Sequence, residues 1–320
     1  MKAPNVPSIF IRHESILLLV LVVELLAFNA ISTRFATTDN AFDIVRHSTE
    51  IGLLALVMTP IILTGGIDLS VGSLVGLCAI LFGKMWRDAG MSWPMAAGAA
   101  IFIGGLGGWL NSIFITRLRL PPLIVTLGTF SFFRGLAEAI TRGVDTFTDF
   151  PAGFLALGQD QFYGLPTQAW IFVFVAVMVW LFVHRTVLGR SWRAIGFSEE
   201  GARYAGLPVG RRVAFAYIMA GAVAGLAAVI YTARLGQAKA DAGTGYELSA
   251  ITAVVLGGTS IFGGTGSVPG TLLGATAIAV LGNGLIHARQ PGEMAGMLTG
   301  ALLIVALAAS KLFQRKTAVG

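Results

Sequence analysis

Charged residues are scarce in this 320-residue chain: only 12% are Asp, Glu, Lys or Arg, against roughly 25% in an ordinary soluble domain. A single cysteine, Cys78, excludes an internal disulfide and a cysteine-ligated zinc cluster. The four histidines are scattered without metal-ligand spacing. The sequence contains no Gly-x-x-x-x-Gly-Lys-Ser/Thr segment, which argues against ATP binding through a P-loop. We therefore expect neither an enzyme nor a bound cofactor or metal.

Apolar residues dominate instead, at 55% of the chain with a mean hydropathy of +0.79. Runs near the roughly 20 residues needed to cross a bilayer recur along the whole length. This composition predicts an all-α, polytopic membrane protein that forms one transmembrane domain over residues 1–320. The net charge of +6 is explained by loops outside the membrane, so no nucleic-acid partner is expected. We predict spans at 15–32, 48–64, 70–86, 94–116, 123–141, 169–184, 212–232, 248–262, 268–287 and 294–311.

A polar segment at residues 185–212 interrupts the apolar pattern and carries six arginines. The positive-inside rule places it on the cytoplasmic side. Helix formers at 199–203, followed by Gly206 and Pro208, predict a short surface helix with defined ends. A membrane protein that builds such a helix between two spans is expected to use it to contact a partner.

The distribution of cations also predicts the orientation of the chain. Ten crossings place both termini on the side of the 185–212 segment, and that side then holds 13 of the 22 Lys and Arg residues. This bias favours cytoplasmic termini. The cations outside the segment that contribute to it are Lys2, Arg12, Arg117, Arg119, Lys311, Arg315 and Lys316.

Glycine pairs break the hydrophobic rhythm at 64–73 and again at 256–267. Such breaks are tolerated at membrane depth only where the bared backbone is buried in protein or lines a cavity. Their separation of about half the chain predicts two structural repeats, and interrupted helices in corresponding halves indicate a translocation path. Other glycines are better explained by close helix packing, namely Gly104, Gly105, Gly107, Gly108, Gly221 and Gly225.

Asp68 lies inside the first break and has two interpretations. Its carboxylate could cap the helix that starts at Leu69–Val71 by accepting hydrogen bonds from free backbone N–H groups. It could instead form a cation or substrate site within the membrane. The cap is the simpler explanation, because an aspartate before a new helix needs no further role.

Arg134 and Glu138 share a face of the fifth span because they lie four residues apart. Leaving either unpaired in the membrane would cost several kcal/mol, so a mutual ion pair is the structural interpretation. A solute-facing role is the alternative, since the same face carries Thr126 and Phe130. The predicted translocation path comprises Asp68, Ser70, Thr126, Thr129, Phe130, Arg134 and Glu138.

A second polar cluster precedes the eighth span, in what the topology makes an outer loop. Its candidate residues are Asp241, Thr244, Tyr246 and Glu247. They suit an outer gate or a docking surface for a binding protein, and a merely solvated loop is an equally good interpretation.

Four sequence blocks resemble the membrane permease subunits of ABC sugar importers of the ribose, xylose and galactoside class. The rhamnose and autoinducer-2-like branches are the most similar, at Gly76–Ala79 and Gln237–Asp241. The blocks follow the family order over most of the chain. They are residues 65–73; 122–129 with 133–136; the 185–212 segment; and 242–248 leading into 253–260 and 263–267.

The resemblance implies a permease dimer, either homodimeric or heterodimeric, in the lipid of a bacterial inner membrane. It also implies a separate cytoplasmic ATPase and a periplasmic sugar-binding protein that delivers a monosaccharide such as L-rhamnose or ribose. The 185–212 segment would be the ATPase-coupling loop. Its coupling helix would use Glu199, Glu200, Ala202, Arg203 and Gly206, where Glu200, Ala202 and Gly206 match the family's loop motif and Gly201 departs from it.

Two other classes of function compete with this one. A secondary transporter driven by an ion gradient could use a carboxylate of Asp68, Glu138 or Glu24 for coupling. Such a carrier needs no ATPase-docking helix, and dependence of uptake on ATP rather than on membrane potential distinguishes the two. A membrane scaffold or receptor without transport is the other alternative, but it has no need of glycine-broken helices.

Overall fold

The computed structural model describes residues 13–291 and 293–317, and helices account for most of them. The first group is α1 (His13–Ile31), α2 (Thr38–Leu63), α3 (Val71–Arg87), α4 (Trp93–Thr116), α5 (Pro122–Ile140) and α6 (Ala152–Gln159). The second group is α7 (Thr167–Arg185), α8 (Val187–Phe197), α9 (Glu199–Tyr204), α10 (Val209–Leu235), α11 (Tyr246–Leu256), α12 (Val268–His287) and α13 (Glu293–Thr317). Between α6 and α7, β1 (Gln161–Phe162) and β2 (Leu165–Pro166) form a small antiparallel pair.

The all-α polytopic class predicted from the sequence is confirmed. Within the described ranges, seven helices are long and apolar enough to cross a membrane: α1, α2, α4, α5, α7, α10 and α12. Every predicted span falls on a helix, but the eighth was wrong in extent. We expected 248–262, whereas α11 ends at Leu256 and a turn follows it.

One face of the bundle carries α8 and α9, and we call it the α8 face. Residues from several helix ends meet there. The Ser267 hydroxyl, just before α12, donates to Glu14 Oε1 at the start of α1 over 2.9 Å. The end of α2 also reaches this face, because Gly264 N donates to Leu63 O over 3.0 Å and Gly264 packs beside Phe197 at the end of α8.

Close packing of α4 on α10 forms the tightest crossing in the bundle. A Cβ at Gly104 would collide with the carbonyl of Gly221, and a Cβ at Gly225 would lie 2.5 Å from Ala100 O. The two backbones therefore touch, as small residues allow in membrane helix pairs. The packing interpretation is confirmed for Gly104, Gly108, Gly221 and Gly225, whereas a Cβ at Gly105 would make only an ordinary contact, 3.8 Å from Ala222 Cβ.

α3 and α11 start inside the bundle, and we call them half-helices. The non-helical segment 236–245, which consists largely of turns, leads into α11 and follows α3 inward from the face opposite the α8 face. It begins with a backbone bridge between Ala238 and Phe147. It then passes Gly76, where a Cβ would lie 2.6 Å from Ala240 O, and reaches Gly72. Since a helix rises about 1.5 Å per residue, α11 begins well below the surface.

The two halves of the chain repeat one packing pattern. In the first, α3 packs on α4 and α5; in the second, α11 packs on α12 and α13. Likewise α4 packs on α10, while α12 packs on α2. The repeats are thus α2–α5 and α10–α13. The counterpart of the first break is therefore 236–245, between α10 and α11, and not the 256–267 segment that the glycine pairs indicated.

Candidate functional site

The starts of the two half-helices meet at the centre of the bundle. A Cβ at Gly72, in the first turn of α3, would lie 2.5 Å from Gly243 O and would collide with the Glu247 carboxylate. Only 8% of Glu247 is exposed. Helix N-termini carry a partial positive charge, so this carboxylate stabilises both half-helices where they meet.

Asp68 lies just before the α3 half-helix and is buried. Its Oδ1 accepts hydrogen bonds from Ser70 N over 2.8 Å and from Ser70 Oγ over 2.6 Å. The aspartate thereby closes a turn with Ser70, which is itself the N-cap residue of α3, and does not cap the first N–H groups of the helix as the simpler interpretation expected. The Ser70 hydroxyl in turn accepts a hydrogen bond from Asn111 Nδ2 over 2.8 Å. Asp68 is therefore the first member of a polar network that fixes the break.

Thr126 and Thr129 of α5 join the same network and are also buried. Thr129 Oγ1 donates to Asn111 Oδ1 over 2.7 Å, and Thr126 Oγ1 donates to Ile67 O over 3.2 Å. In this conformation the hydroxyls of both threonines hold α5 against the first break. The sequence analysis missed Asn111, which links α4 to Ser70 before α3 and to Thr129 of α5. Ser112 is its only polar neighbour in the sequence, so no motif singled it out.

We had predicted an ion pair between Arg134 and Glu138, and the structure does not contain it. Among the described residues the ion pairs do not include these two. Arg134 Nη1 instead donates to the backbone carbonyls of Ala240 and Ala242 in the 236–245 segment. The guanidinium is turned inward because those carbonyls, bared by the absence of helix before α11, need donors.

The segment around residues 241–247 is not the outer loop that the topology predicted. Asp241 and Thr244 are exposed, but Tyr246 is partly buried and Glu247 lies at the meeting of the half-helices. The chain turns inward because Gly243 adopts a positive φ of 73° and packs directly on Gly72. A docking role at the outer surface is therefore not open to Glu247.

The uncovered side of α5 carries a polar strip, formed by Gly128, Ser131, Gly135 and Glu138, all of them exposed. Phe130 lies partly buried beside it. Exposed backbone and an ionisable side chain are costly against lipid, so the strip faces protein or water. Its hydroxyl and carboxylate oxygens are suited to hydrogen bonds with a polar solute. Within the described residues no cluster of His, Cys, Asp and Glu could hold a metal ion.

α9 forms the exposed tip of the α8 face, as the sequence predicted for a short surface helix. Ser198 caps it by accepting a hydrogen bond from Gly201 N over 3.0 Å, and Arg203 pairs with Glu199 over 2.6 Å. Ala202 is buried beneath the helix, and Gly206 follows it with a positive φ of 78°.

Two aromatic side chains flank α9 and were missed by the sequence analysis. Phe197 is 89% exposed and Tyr204 is 91% exposed, and Glu200 is exposed between them. Large exposed rings are unusual on a polar loop and are enriched at protein interfaces. Their presence inside an otherwise charged segment was a signal that could have been used.

Replacing Asp68 should separate its hydrogen bonds with Ser70 from any role of its charge. Asp68→Asn keeps an oxygen that can accept from Ser70, so we expect a thermal midpoint close to that of the unchanged protein. Asp68→Ala removes the acceptor and should cost about 1 kcal/mol of stability. Thermal unfolding in detergent measures both. An Asn variant as unstable as the Ala variant would mean that the negative charge itself is needed.

Two half-helices of opposite direction that meet inside a multi-pass bundle, with a separate surface helix on one face, are features of a membrane transport permease. Comparison with family profiles agrees: residues 40–307 match the family described as "Branched-chain amino acid transport system / permease component". The chain belongs to this family.

Curated relatives give the same class. The chain is 36% identical over 297 residues to proteins called "Autoinducer 2 import system permease protein LsrD" from Escherichia coli (strain K12) and Shigella flexneri, covering 91% of this chain and 90% of each relative. The protein of that name from Yersinia pseudotuberculosis serotype O:1b is 36% identical over 91% of this chain and 89% of its own length. No solved structure matches. The resemblance to ABC importer permeases, including the autoinducer-2-like branch, is confirmed.

Proposed function

We propose that this chain is the transmembrane subunit of an ATP-driven importer that moves a small polyhydroxylated solute of monosaccharide size. A separate cytoplasmic ATPase powers it, and a periplasmic binding protein delivers the solute. The observation that carries the proposal is the α8–α9 element: a rigid, capped surface helix flanked by two exposed aromatic side chains.

α9 supports the ATPase partner through its chemistry. Phe197 and Tyr204 offer large side chains that fill pockets on a partner, and such residues dominate binding energy at protein interfaces. Glu199, Glu200 and Arg203 supply a charged rim around them. Ala202 anchors the helix to the bundle, where it packs in one cluster with Ile195 and Val209. The helix therefore couples a bound partner to the membrane domain.

The α8 face is the cytoplasmic face in this proposal. It carries the six arginines of the 185–212 segment, and Arg117 and Arg119 follow α4 at the same face. Positive residues in short loops favour the cytoplasmic side. Both termini are then cytoplasmic, the opposite face is periplasmic, and the membrane is the bacterial inner membrane.

The translocation path runs along the polar strip of α5 and is completed by a second permease subunit. Glu138 and Asp241 both lie close enough to interact electrostatically with Arg134. Thr244 is exposed on the 236–245 segment, three residues after Asp241. Since these groups cannot face lipid, a second copy or a paralogous permease covers them. Asp68, Ser70, Thr126 and Thr129 hold the adjoining break in place.

The solute is a sugar or a sugar-like molecule. Hydroxyl and carboxylate oxygens on the strip suit a neutral polyol. The similar permeases are called components of an autoinducer 2 import system, which makes autoinducer 2 the first solute to test. L-Rhamnose and ribose are the next candidates.

An ion-driven carrier is the less well supported function. Of the carboxylates proposed for it, Asp68 is committed to Ser70. Glu138 is exposed on the strip, so α9 is the main feature that disfavours such a carrier. α9 with its exposed aromatic side chains would also have no purpose in such a carrier.

Uptake in cells tests the proposal directly. Cells that contain the neighbouring ATPase and binding protein, with or without this chain, would be given labelled autoinducer 2, L-rhamnose and ribose. We expect one of them to require this chain and ATP, and collapse of the membrane potential at constant ATP to leave its uptake intact. Uptake that follows the potential instead would establish the ion-driven alternative.

A second test concerns the docking of the ATPase on α9, and it has a matched control on the opposite face. Phe197→Ala with Tyr204→Ala should weaken ATPase association by about 30-fold or more, since a single interface hot spot of about 2 kcal/mol already corresponds to that factor. Phe162→Ala with Tyr163→Ala removes two exposed aromatic side chains from the opposite face and should leave the association unchanged. Co-purification of the ATPase from the membrane measures both. Equal retention by the two double variants would remove α9 from the interface.

A further inference from the structure

The end of α8 lies directly against the connection that leads into α3 and against the turn that follows α11. Leu63 is the last residue of α2, and residues 64–70 connect it to α3. Gly263 and Gly264 lie in the turn that follows α11. Gly264 N donates a hydrogen bond to Leu63 O over 3.0 Å, so the turn after α11 is tied to the start of the first break. Gly196 of α8 packs on this tie, and we call these four residues the joint.

Contact within the joint is backbone against backbone. A Cβ at Gly196 would collide with both Leu63 O and Gly264 N, and would lie 3.0 Å from Gly263 Cα. From the other side, a Cβ at Gly263 would lie 2.8 Å from Gly196 Cα and 2.9 Å from Gly65 N. No flexible side chain separates the surfaces, so a displacement of α8 cannot be absorbed there.

Arg193 ties α8 to the same turn at a second point, about one helical turn before Gly196. Its Nη1 donates to Val183 O at the end of α7 over 2.8 Å, and its Nη2 donates to Gly266 O over 3.3 Å. Two points of attachment fix the angle of α8 as well as its position.

We propose that the joint transmits movement of the α8–α9 element to both half-helices at once, with Gly196 as the positioning residue. Residues 64–70 connect Leu63 to the start of α3, and residues 257–263 connect the end of α11 to Gly264, so one displacement reaches the connections of both half-helices. The central contact of the half-helices at Gly72 and Gly243 then changes together with the cytoplasmic face. This inference rests on the proposed function.

The variant Gly196→Ala tests the joint, with Gly210→Ala as its control. A Cβ at Gly210 would meet only Thr116 Cβ, at the ordinary distance of 3.6 Å. Proteoliposomes would hold the full chain with its ATPase and binding protein. We expect Gly196→Ala to lower ATP-dependent uptake about tenfold or more, the range of allosteric couplings, while ATPase activity and co-purification persist. Gly210→Ala should stay within about twofold of the unchanged protein.

Arg193→Met is the second variant, and unlike Gly196→Ala it introduces no steric clash with the backbone. It removes both hydrogen bonds to the carbonyls, and Arg190→Met changes an exposed arginine on the same helix as its control. We expect uptake to fall for Arg193→Met only, again with the ATPase retained. If Gly196→Ala does not accumulate in the membrane, this variant decides.

Several results would overturn the joint. Uptake equal to the control in Arg193→Met would do so, as would normal uptake by a well-folded Gly196→Ala. Loss of ATPase co-purification would place the defect at docking instead. Failure of the proposed function looks different, because the unchanged complex would then show no ATP-dependent uptake at all.

Discussion

Gly108→Ala is expected to destabilise the folded chain by about 3 kcal/mol, at the upper end of the usual cost of overpacking. A Cβ at this position of α4 would collide with Tyr217 O and lie 2.7 Å from the Tyr217 carbonyl carbon of α10. Neither atom can turn away, because both belong to helical backbone. The two helices must separate, and the close contacts at Gly104 and Gly221 are lost with them.

Gly105→Ala is the matched control, three residues before Gly108 on the same helix. Its Cβ would lie 3.8 Å from Ala222 Cβ, which is ordinary contact. Alanine favours a helix over glycine by about 1 kcal/mol, so this variant should be slightly more stable than the unchanged protein. Chemical or thermal unfolding in detergent measures both signs. A shift of the same sign for the two variants would contradict the direct backbone contact.

Sequence patterns predict the helices of this fold well because each crossing needs its own apolar run. α4 and α12 begin and end near the expected positions for this reason. α2 ends where it was expected to end, but it begins at Thr38, ten residues before the expected start, because its first turns are polar. α11 ends at Leu256, six residues before the expected end, and the chain that precedes it, residues 236–245, is not helical. That segment is stabilised by α3 and by Arg134, 106 residues away from Ala240, and a hydropathy pattern contains no information about such contacts.

The same distinction divides the candidate site. A local structural role for Asp68 was predictable, since its partner Ser70 is two residues away. The partner of Arg134 was not, because an i, i+4 carboxylate at Glu138 was the local choice and the true acceptors are backbone carbonyls. Glycine pairs at 256–267 indicated a counterpart of the first break, but they serve the joint instead. The counterpart at 236–245 has fewer adjacent glycines and is fixed by packing.

The largest feature that the sequence did not indicate is a buried ion pair between α2 and α10. Arg234 Nε lies 2.8 Å from Glu50 Oε1, and the Glu50 side chain is completely buried. Arg234 Nη1 also lies 3.1 Å from His47 Nδ1. The partners are 184 residues apart. They join the first helices of the two repeats towards the face opposite the α8 face.

Arg234→Met is expected to cost about 3–5 kcal/mol of stability, because it leaves the Glu50 carboxylate buried without its counter-charge. Adding Glu50→Leu to it should restore most of the loss, since a well-packed apolar pair often replaces a buried ion pair at little cost. Thermal unfolding of the unchanged protein, both single variants and the double variant forms the cycle.

The exposed pair Lys84–Asp88 provides the reference for that cycle. Its side chains are 51% and 39% exposed, so Lys84→Met should change stability by less than about 1 kcal/mol. If the losses of Arg234→Met and Glu50→Leu simply add, the two charges do not depend on each other. If the double variant is as stable as the unchanged protein but transports poorly, the pair is kept for the movement of α2 against α10 and not for folding.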